Sequence, residues 1–210
     1  MSVWAIVVAA GNGNRFGGAK QFARLGNSTV LERSLATARG AVDQVVVVLA
    51  GDAQWSPSNG ELATVGGATR SDSVRAGLAL VPNDVGIVVV HDAARPFATG
   101  ALYRSVIDAV RAGATAAVPG VAVADTIKRT SGVEVFDTLD RSDLVAVQTP
   151  QAFDAAALRE AHAASGEGTD DAALLERAGA KVVVVDGEHR NFKITVAADL
   201  EMAAALLEAT

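Results

Sequence analysis

Short apolar runs rich in valine recur along this chain, with more polar segments between them. Five such runs occupy residues 3–9, 45–49, 87–90, 115–118 and 182–185. Their apolar residues are continuous, not alternating, which is typical of strands that are buried on both faces of a parallel sheet. The pattern therefore predicts a sheet made mainly of parallel strands.

Segments with helical spacing separate these predicted strands. Thr29 and Glu32 have the spacing of a capping box, which predicts a helix start, and further helices are predicted over 71–80, 102–110, 169–179 and 197–208. Asp170 and Asp171 would lie near the positive end of the helix over 169–179, and Thr195 would cap the helix over 197–208. Strands that alternate with helices predict an α/β fold, here as a single domain over residues 1–210.

The segment 121–147 departs from this pattern. Apolar and polar residues alternate in it, and Ser131-Gly132 has the composition of a turn, so the segment predicts a β-hairpin. A two-stranded hairpin that projects alone is marginally stable in water. It either belongs to a unit of its own or docks onto a second subunit, and its polar side chains favour a projecting β-arm that makes a dimer contact.

Composition and charge exclude several classes of protein. The chain has 210 residues, of which 50% are hydrophobic and 20% charged, so it is neither disordered nor collagen-like. Its net charge of −6 disfavours a broad basic face for nucleic acid. Cysteine is absent, which excludes disulfides, thiolate zinc sites and a cysteine nucleophile. Since no apolar run has the length of a membrane span and the apolar start lacks a basic leader, we expect a cytoplasmic protein without a membrane partner.

A glycine-rich loop with local positive charge follows the first predicted strand. Arg15, Lys20 and Arg24 precede the first acidic residue, Glu32. Glycines after a buried strand let backbone amides approach an anion, so the loop predicts a phosphate site. It matches neither the Walker pattern nor the dinucleotide fingerprint, which would need glycine where Phe16 stands. The alternative is a flexible loop with solvated cations.

A carboxylate and a lysine follow two later strands. Asp92 ends the third predicted strand, where ligands and metals collect in open α/β sheets, and one carboxylate with phosphate oxygens is a usual Mg²⁺ site. Alternatively, Asp92 pairs with Arg95 or caps the next helix. Lys193 could reach an anion at the same edge or be an ordinary surface lysine, and Asn191 could simply hold a turn.

Seven stretches occur in one order that resembles the 2-C-methyl-D-erythritol 4-phosphate cytidylyltransferase family: AAGNGNR at 9–15, KQ at 20–21, GGATRSDSV at 66–74, HDAARP at 91–96, QTPQAF at 148–153, TDDA at 169–172 and NFKIT at 191–195. The glycine loop alone is shared with many nucleotidyltransferases, whereas HDAARP with QTPQAF and TDDA is much more specific. The resemblance implies a Rossmann-like nucleotidyltransferase fold with a mainly parallel sheet and a β-arm, 121–147, that contacts a partner in a homodimer.

The resemblance also implies a reaction and its residues. The 4-phosphate of the sugar phosphate would attack the α-phosphate of CTP and release pyrophosphate. Its catalytic cations would be Arg15, Lys20 and Lys193. Its Mg²⁺ ligand would be Asp92, alone because Arg190 stands where some members have aspartate. The implied substrate-binding residues are Ala9, Ala10, Gly11, Asn12, Gly13, Gly67, Ala68, Ser73, Ala93, Arg95, Thr126, Arg141 and Thr149.

Within this set, the cytosine would be read by backbone groups, and the sugar phosphate would be held by Thr149 together with Thr126 and Arg141 of a neighbouring subunit. Two alternatives remain open. One is a sister cytidylyltransferase that acts on ribitol 5-phosphate, which shares the loop and the aspartate and differs at the arm. The other is a nucleotide-binding module without catalytic activity, which the joint presence of the cations and Asp92 disfavours.

Overall fold

A computed structural model describes residues 1–11, 13, 15–164 and 168–209 of the chain. Its central sheet has eight strands: β1 Val3–Ala9, β4 Gln44–Leu49, β5 Leu62–Val65, β6 Ile87–Asp92, β7 Ala116–Ala122, β10 Val145–Val147, β11 Gln151–Asp154 and β12 Val182–Asp186. Two small pairs lie outside it: β2 Arg24–Leu25 with β3 Ser28–Thr29, and β8 Lys128–Ser131 with β9 Glu134–Thr138. The helices are α1 Val30–Arg39, α2 Arg70–Leu78, α3 Gly100–Arg111, α4 Ala155–Ala163, α5 Ala172–Arg177 and α6 Ala197–Glu208, with 3₁₀ turns at Lys20–Phe22 and Arg141–Asp143.

The central sheet is mostly parallel, as predicted. From β5 the order runs through β4, β1 and β6, and all these neighbours pair in parallel. Beyond β6, the antiparallel strand β11 lies between β6 and β7, and β12 pairs with β7 in parallel. All five apolar runs form strands, whereas β5 and β11 were not predicted. β5 is largely exposed and β11 carries polar residues at both ends, so neither has the continuous apolar pattern.

Helices cover both faces of the sheet and bury it. On one face, α1 and α3 pack with Leu35 and Tyr103 among their buried residues. On the other face, α2, α4 and α5 pack with Val74, Leu158 and Leu175. This double cover explains why the central strands are apolar on both sides and read as continuous valine runs.

Polar side chains define most of the predicted helix starts. Thr29 Oγ1 accepts a hydrogen bond from the Glu32 amide at 3.2 Å, and Glu32 Oε2 accepts one from the Thr29 amide at 2.6 Å, which confirms the capping box. At α6 the prediction was wrong, because Val196, not Thr195, precedes the first helical residue. Asp199 Oδ2 instead accepts from the Thr195 amide at 2.6 Å, so the capping carboxylate comes from inside the helix. Among the described residues, no helix combines the length and apolar character needed to cross a membrane.

A hairpin forms within the predicted segment 121–147 but is shorter than predicted: residues 128–138 form it, whereas 121–122 and 145–147 pair within the central sheet. Strands β8 and β9 pair antiparallel around Gly132, whose φ of 58° lies in the left-handed region that a tight turn uses. The hairpin projects into solvent: Val133 is fully exposed and the exposed fraction of Phe136 is 65%. Apolar side chains of the hairpin are therefore exposed to solvent in the single chain.

Candidate active site

A cavity of about 350 Å³ opens at the carboxyl ends of β1 and β6, the edge where ligands bind in open α/β sheets. It brings together most of the residues singled out in the sequence. The predicted residues that line it are Ala9, Ala10, Gly11, Lys20, Gly67, Ala68, Ser73, Asp92, Ala93 and Lys193.

The glycine-rich loop folds back on itself so that Lys20 reaches the cavity. The carbonyl of Gly13 accepts from the amides of Phe16 at 2.8 Å and Gly17 at 2.9 Å. A Cβ on Gly13 would lie 1.8 Å from the carbonyl oxygen of Gly18, so only glycine permits this fold. Arg15 is exposed on the loop and does not line the cavity, and Asn12 lies outside the described residues.

Gln21 fixes the end of this loop against the first strand. Its side-chain amide is buried and donates to the carbonyls of Ala9 at 2.9 Å and Gly11 at 3.3 Å. No role was predicted for Gln21, although it lies in one of the quoted motifs. Its contacts join the 3₁₀ turn Lys20–Phe22 to the end of β1.

The second wall of the cavity depends on glycine for close packing. A Cβ on Gly66 would lie 2.6 Å from both Ala10 Cβ and Ser73 Oγ. A Cβ on Gly67 would lie 2.3 Å from Asp72 Cβ. Glycine at these two positions therefore lets the loop before α2 pack closely against the end of β1 and against the first turn of α2.

Asp92 is the centre of a charge cluster at the cavity. Its Oδ2 accepts from Lys193 Nζ at 2.6 Å and its Oδ1 from Arg70 Nε at 3.3 Å. Burial by itself would raise the pKa of Asp92, but the charges of Arg70 and Lys193 outweigh it and hold the pKa well below its usual range. The carboxylate is thus ionised. The alternative that it pairs with Arg95 is wrong for the direct contact, which goes to Arg70 and Lys193.

Lys20 lies in a different electrostatic environment. Burial lowers the pKa of its ammonium group, and the nearby charges of Lys193 and Arg15 lower it further, against weaker opposing effects of Asp92 and Asp199. Cations gathered in this way repel one another until an anion arrives, which is the behaviour of a site built to bind a polyanion.

A smaller cavity of about 190 Å³ adjoins the first and shares Arg70, Asp92 and Lys193 with it. Arg95 and Thr149 line this second cavity. Two adjoining spaces on either side of one charge cluster can hold two ligands whose charged groups meet there.

Internal hydrogen bonds hold the two predicted residues of the second cavity. Thr149 Oγ1 accepts from the Asp92 amide at 3.0 Å and lies 3.1 Å from His91 Nδ1. Burial lowers the pKa of His91 to about 4, so its ring is neutral, and it packs on Tyr103 as the strand-end residue expected from the sequence. Arg95 Nη1 donates to the carbonyl of Asn191 at 2.7 Å.

Asn191 joins two segments and does not simply hold a turn. It is fully buried, and its Nδ2 donates to Gln148 Oε1 at 3.1 Å and to the Thr149 carbonyl at 2.9 Å. Gln148 Nε2 in turn donates to the Glu188 carbonyl at 2.8 Å. These contacts fix the chain two residues before Lys193 and so direct that lysine toward Asp92.

The two predicted residues of the arm lie away from both cavities. Thr126 and Arg141 are exposed and line neither space. Arg141 Nη1 donates to the carbonyl of Ala124 within the arm. One copy of the chain therefore does not bring these residues to its own charge cluster.

No role was predicted from the sequence for the side chain of Arg70 or for its contact with Asp171. Arg70 Nη1 donates to Asp171 Oδ2 at 2.8 Å, so one guanidinium contacts two carboxylates. Asp170 and Asp171 both lie at the positive end of α5, as predicted: Asp171 directly precedes the first helical residue, and Asp170 Oδ1 accepts from the Ala173 amide at 2.9 Å. The only signal for this contact was that both residues lie in the quoted motifs.

Comparison with known proteins agrees with this geometry. The sequence model of the family "IspD: 2-C-methyl-D-erythritol 4-phosphate cytidylyltransferase" matches residues 3–209. The chain belongs to this family. The predicted family, the cytidylyltransferase class and the cytidylyl transfer that the family name states are thereby confirmed.

Individual relatives span nearly the whole chain. A 2-C-methyl-D-erythritol 4-phosphate cytidylyltransferase of Rhodococcus jostii is 45% identical and aligns over 98% of this chain and 95% of its own length. The crystal structure of the enzyme of that name from Thermus thermophilus has 38% identity and a TM-score of 0.88, with 99% of this chain and 100% of that chain covered. This likeness confirms the predicted fold.

Some relatives are longer proteins. A bifunctional enzyme IspD/IspF of Clavibacter michiganensis is 44% identical over 96% of this chain, but the alignment covers 53% of that relative. The chain therefore spans about half the length of the bifunctional relatives it matches and nearly all of the others.

Proposed function

We propose that this chain transfers CMP from CTP to 2-C-methyl-D-erythritol 4-phosphate, giving 4-diphosphocytidyl-2-C-methyl-D-erythritol and pyrophosphate, with the charge cluster as its reaction centre. The observation that carries this proposal is the meeting of Arg70, Lys193 and Asp92 where two adjoining cavities join, with Lys20 lining the larger of the two. A nucleotide in the larger cavity and a sugar phosphate in the smaller one would place two phosphate groups at these charges.

The larger cavity suits a nucleotide. Its walls include residues 9–11, 67 and 68, and the buried Ser73 also lines it. Backbone amides and carbonyls supply the donors and acceptors that a cytosine edge needs, and the close packing at Gly66 and Gly67 holds this backbone against the end of β1. We assign the base to this wall and the triphosphate to the loop that carries Lys20.

The chemistry requires positioning and positive charge more than proton transfer. The attacking phosphate is already ionised near neutral pH, so the barrier lies in bringing one anion against another. Lys20 and Arg15 on the loop, with Lys193 opposite, would stabilise the negative charge that grows on the α-phosphate in the transition state. Cations that are already held at fixed positions lower this barrier, because they need not reorganise at each turnover.

The residues at Asp92 fit a magnesium ion that arrives with the nucleotide. Each carboxylate oxygen of Asp92 has two lone pairs, and the bonds to Arg70 and Lys193 use one on each. Among the described residues, no group of three or more acidic, histidine or cysteine side chains could hold a metal. A metal at Asp92 would need phosphate oxygens as further ligands, a common Mg²⁺ arrangement. When bound, Mg²⁺ would neutralise part of the triphosphate charge.

The sugar phosphate would be held partly by a second copy of the chain. Thr126 and Arg141 belong to an exposed arm and line neither cavity of their own chain. The arm also exposes Val133, Val135 and Phe136, and a hairpin of this kind gains stability when its apolar side chains are covered. We therefore propose a homodimer in which each arm reaches the smaller cavity of the partner.

One assay tests the reaction. Pyrophosphate release from CTP and Mg²⁺ is measured with 2-C-methyl-D-erythritol 4-phosphate, with ribitol 5-phosphate and with neither. We expect release with the first substrate only. Faster release with ribitol 5-phosphate would establish the sister activity instead, and CTP binding without release under any condition would indicate a non-catalytic module.

Mixing two inactive variants tests the shared site. Lys20→Ala disables the body of one subunit and Arg141→Ala disables the arm of another. If each site combines a body and a partner's arm, random mixing restores about one quarter of the wild-type sites, because half of the dimers are mixed and each mixed dimer has one intact pair. Light scattering that shows a monomer, or no recovery on mixing, would contradict the proposal.

A further inference from the structure

Arg70 stands at the junction of the two cavities and contacts two carboxylates at once. It is the first residue of α2, and its side chain is 24% exposed. Its Nε donates to Asp92 Oδ1 at 3.3 Å and its Nη1 donates to Asp171 Oδ2 at 2.8 Å. Both carboxylates are buried, so their charges are screened little by solvent.

A second pair of side chains supports Arg70 from inside the protein. Asp171 is fully buried, and its Oδ1 lies 3.0 Å from His162 Nε2 of α4. Neither Asp171 nor His162 lines the larger or the smaller cavity. A row of contacts therefore runs from the interior to the site through His162, Asp171, Arg70 and Asp92, and ends at Lys193.

The planar guanidinium makes this row rigid. Nε and Nη1 lie in one plane, so Arg70 keeps both bonds only while the two carboxylates hold a fixed orientation to each other. A lysine has a single charged nitrogen on a flexible stem and cannot reproduce the fork. The charges of Arg70 and Lys193 also hold the pKa of Asp92 low against the effect of its burial, which keeps the carboxylate an acceptor.

We propose that Arg70 is a positioning residue of the reaction: held from behind by Asp171 and His162, it fixes the orientation of the Asp92 carboxylate at the junction of the two cavities. This inference rests on the proposed function. It gives a role to Arg70, Asp171 and His162, none of which has to contact a phosphate for the reaction to proceed. Supporting partners of this kind alter metal affinity or activity by about 10–100-fold when they are changed.

A competing explanation is that Arg70 binds a phosphate directly, because it lines both cavities. Asp171 separates the two explanations, since it is buried and outside the cavities. Asp171→Asn keeps the shape of the side chain and removes the charge that faces Arg70 on one side and His162 on the other, and Asp171 itself lines neither cavity. A direct ligand would tolerate this change far better than a positioning residue.

The experiment compares Asp171→Asn and Arg70→Lys with wild type and with Arg75→Lys. Arg75 lies on the same helix and pairs with Asp72 at 2.6 Å near the surface, so it is a matched control for an arginine-to-lysine change. Circular dichroism and thermal unfolding establish that each variant folds. The readouts are kcat and KM for both substrates and, independently of turnover, Mn²⁺ binding to the enzyme with CTP and no sugar phosphate, followed by electron paramagnetic resonance.

We expect Asp171→Asn and Arg70→Lys each to lower kcat by about 10–100-fold and to weaken Mn²⁺ binding by a similar factor. KM for the sugar phosphate should stay within about threefold of wild type, and the double variant should lose less than the product of the single losses, since both changes act through one row of contacts. Arg75→Lys should behave as wild type.

Three results would overturn the inference. One is a folded Asp171→Asn with kcat and Mn²⁺ affinity within about twofold of wild type, well short of the factor expected for a supporting partner. The second is a loss in kcat with unchanged Mn²⁺ affinity. The third is a rise in KM for CTP in Arg70→Lys alone, which would make Arg70 a direct ligand. If Asp171→Asn does not fold, Arg70→Lys decides by the same measures.

The wild-type control separates this inference from the proposed function. If the wild-type protein releases no pyrophosphate with 2-C-methyl-D-erythritol 4-phosphate, the proposed function fails. The Mn²⁺ comparison among folded variants still decides whether Arg70 orients Asp92.

Discussion

Replacing Lys20 by alanine separates catalysis from stability in this protein. The side chain lines the larger cavity, and its backbone amide donates to the Gly18 carbonyl at 2.8 Å. Burial, Lys193 and Arg15, in that order, lower the pKa of its ammonium group. The folded protein therefore holds this charge at a cost, which an incoming triphosphate would offset. The residue is placed for a ligand and not for the fold.

The expected loss of turnover follows from that placement. Removing one preorganised donor from a developing negative charge costs about 10²–10³ in kcat, or about 2.7–4 kcal/mol. The thermal stability of Lys20→Ala should rise or stay constant relative to wild type. Because the folded pKa of Lys20 is below its unfolded value, the charged form is disfavoured by folding at neutral pH, and this penalty disappears only as pH rises through the two pKa values. Alanine removes the penalty, so the thermal midpoint should not fall.

The assay is steady-state pyrophosphate release with both substrates saturating, beside a thermal melt. Lys181→Ala is the matched control, because Lys181 is an exposed lysine directly before β12, at the opposite end of the sheet from the cavity. We expect Lys181→Ala to match wild type in both measurements. A purified, folded Lys20→Ala that turns over near the wild-type rate would refute the assignment of the loop to the triphosphate.

Three further predictions follow from named contacts. In the pH profile of kcat/KM for CTP, which reports the free enzyme, the apparent pKa of the alkaline limb should lie below 10.5, the ordinary pKa of lysine. Lys20→Arg should move this limb to higher pH. A limb that does not move would belong to another group. Gly66→Ala should raise KM for CTP and lower stability by about 1–3 kcal/mol because its Cβ meets packed atoms, whereas Gly51→Ala, whose nearest contact is at 3.6 Å, should do neither. Phe136→Asp should convert the proposed dimer to a monomer in light scattering, because a charge replaces an exposed apolar side chain of the arm. Turnover should be abolished while the thermal unfolding of the rest of the chain is unchanged. A dimer that survives would place the interface elsewhere.

Much of the fold could be predicted because its signals are local. The valine runs gave the parallel strands, since burial on both faces leaves few polar positions in a strand. Thr29 and Glu32 marked the start of α1 because a capping box involves residues three apart. The hairpin showed in the alternation around Gly132.

The failures have two different physical causes. β11 lies antiparallel between two parallel strands, and Gln151 at its start donates to Asp170, 19 residues along the chain, at 2.9 Å. Thr195 looked like a cap, but Asp199 supplies the capping carboxylate from within the helix. For β11 the deciding partners lie far along the chain, whereas at α6 the deciding carboxylate is four residues away and takes the backbone amide of Thr195.

The sequence by itself determined the alternation of strands and helices, the arm and the loop with its cations, because each depends on residues that are near one another in the chain. Only the tertiary structure decided which charges meet. Lys193 and Arg70 both bind Asp92, and the first of these contacts spans 101 residues. Parallel strands bring their carboxyl ends to one edge whatever their separation in sequence, and it is this edge that turns scattered lysines, an arginine and an aspartate into one site.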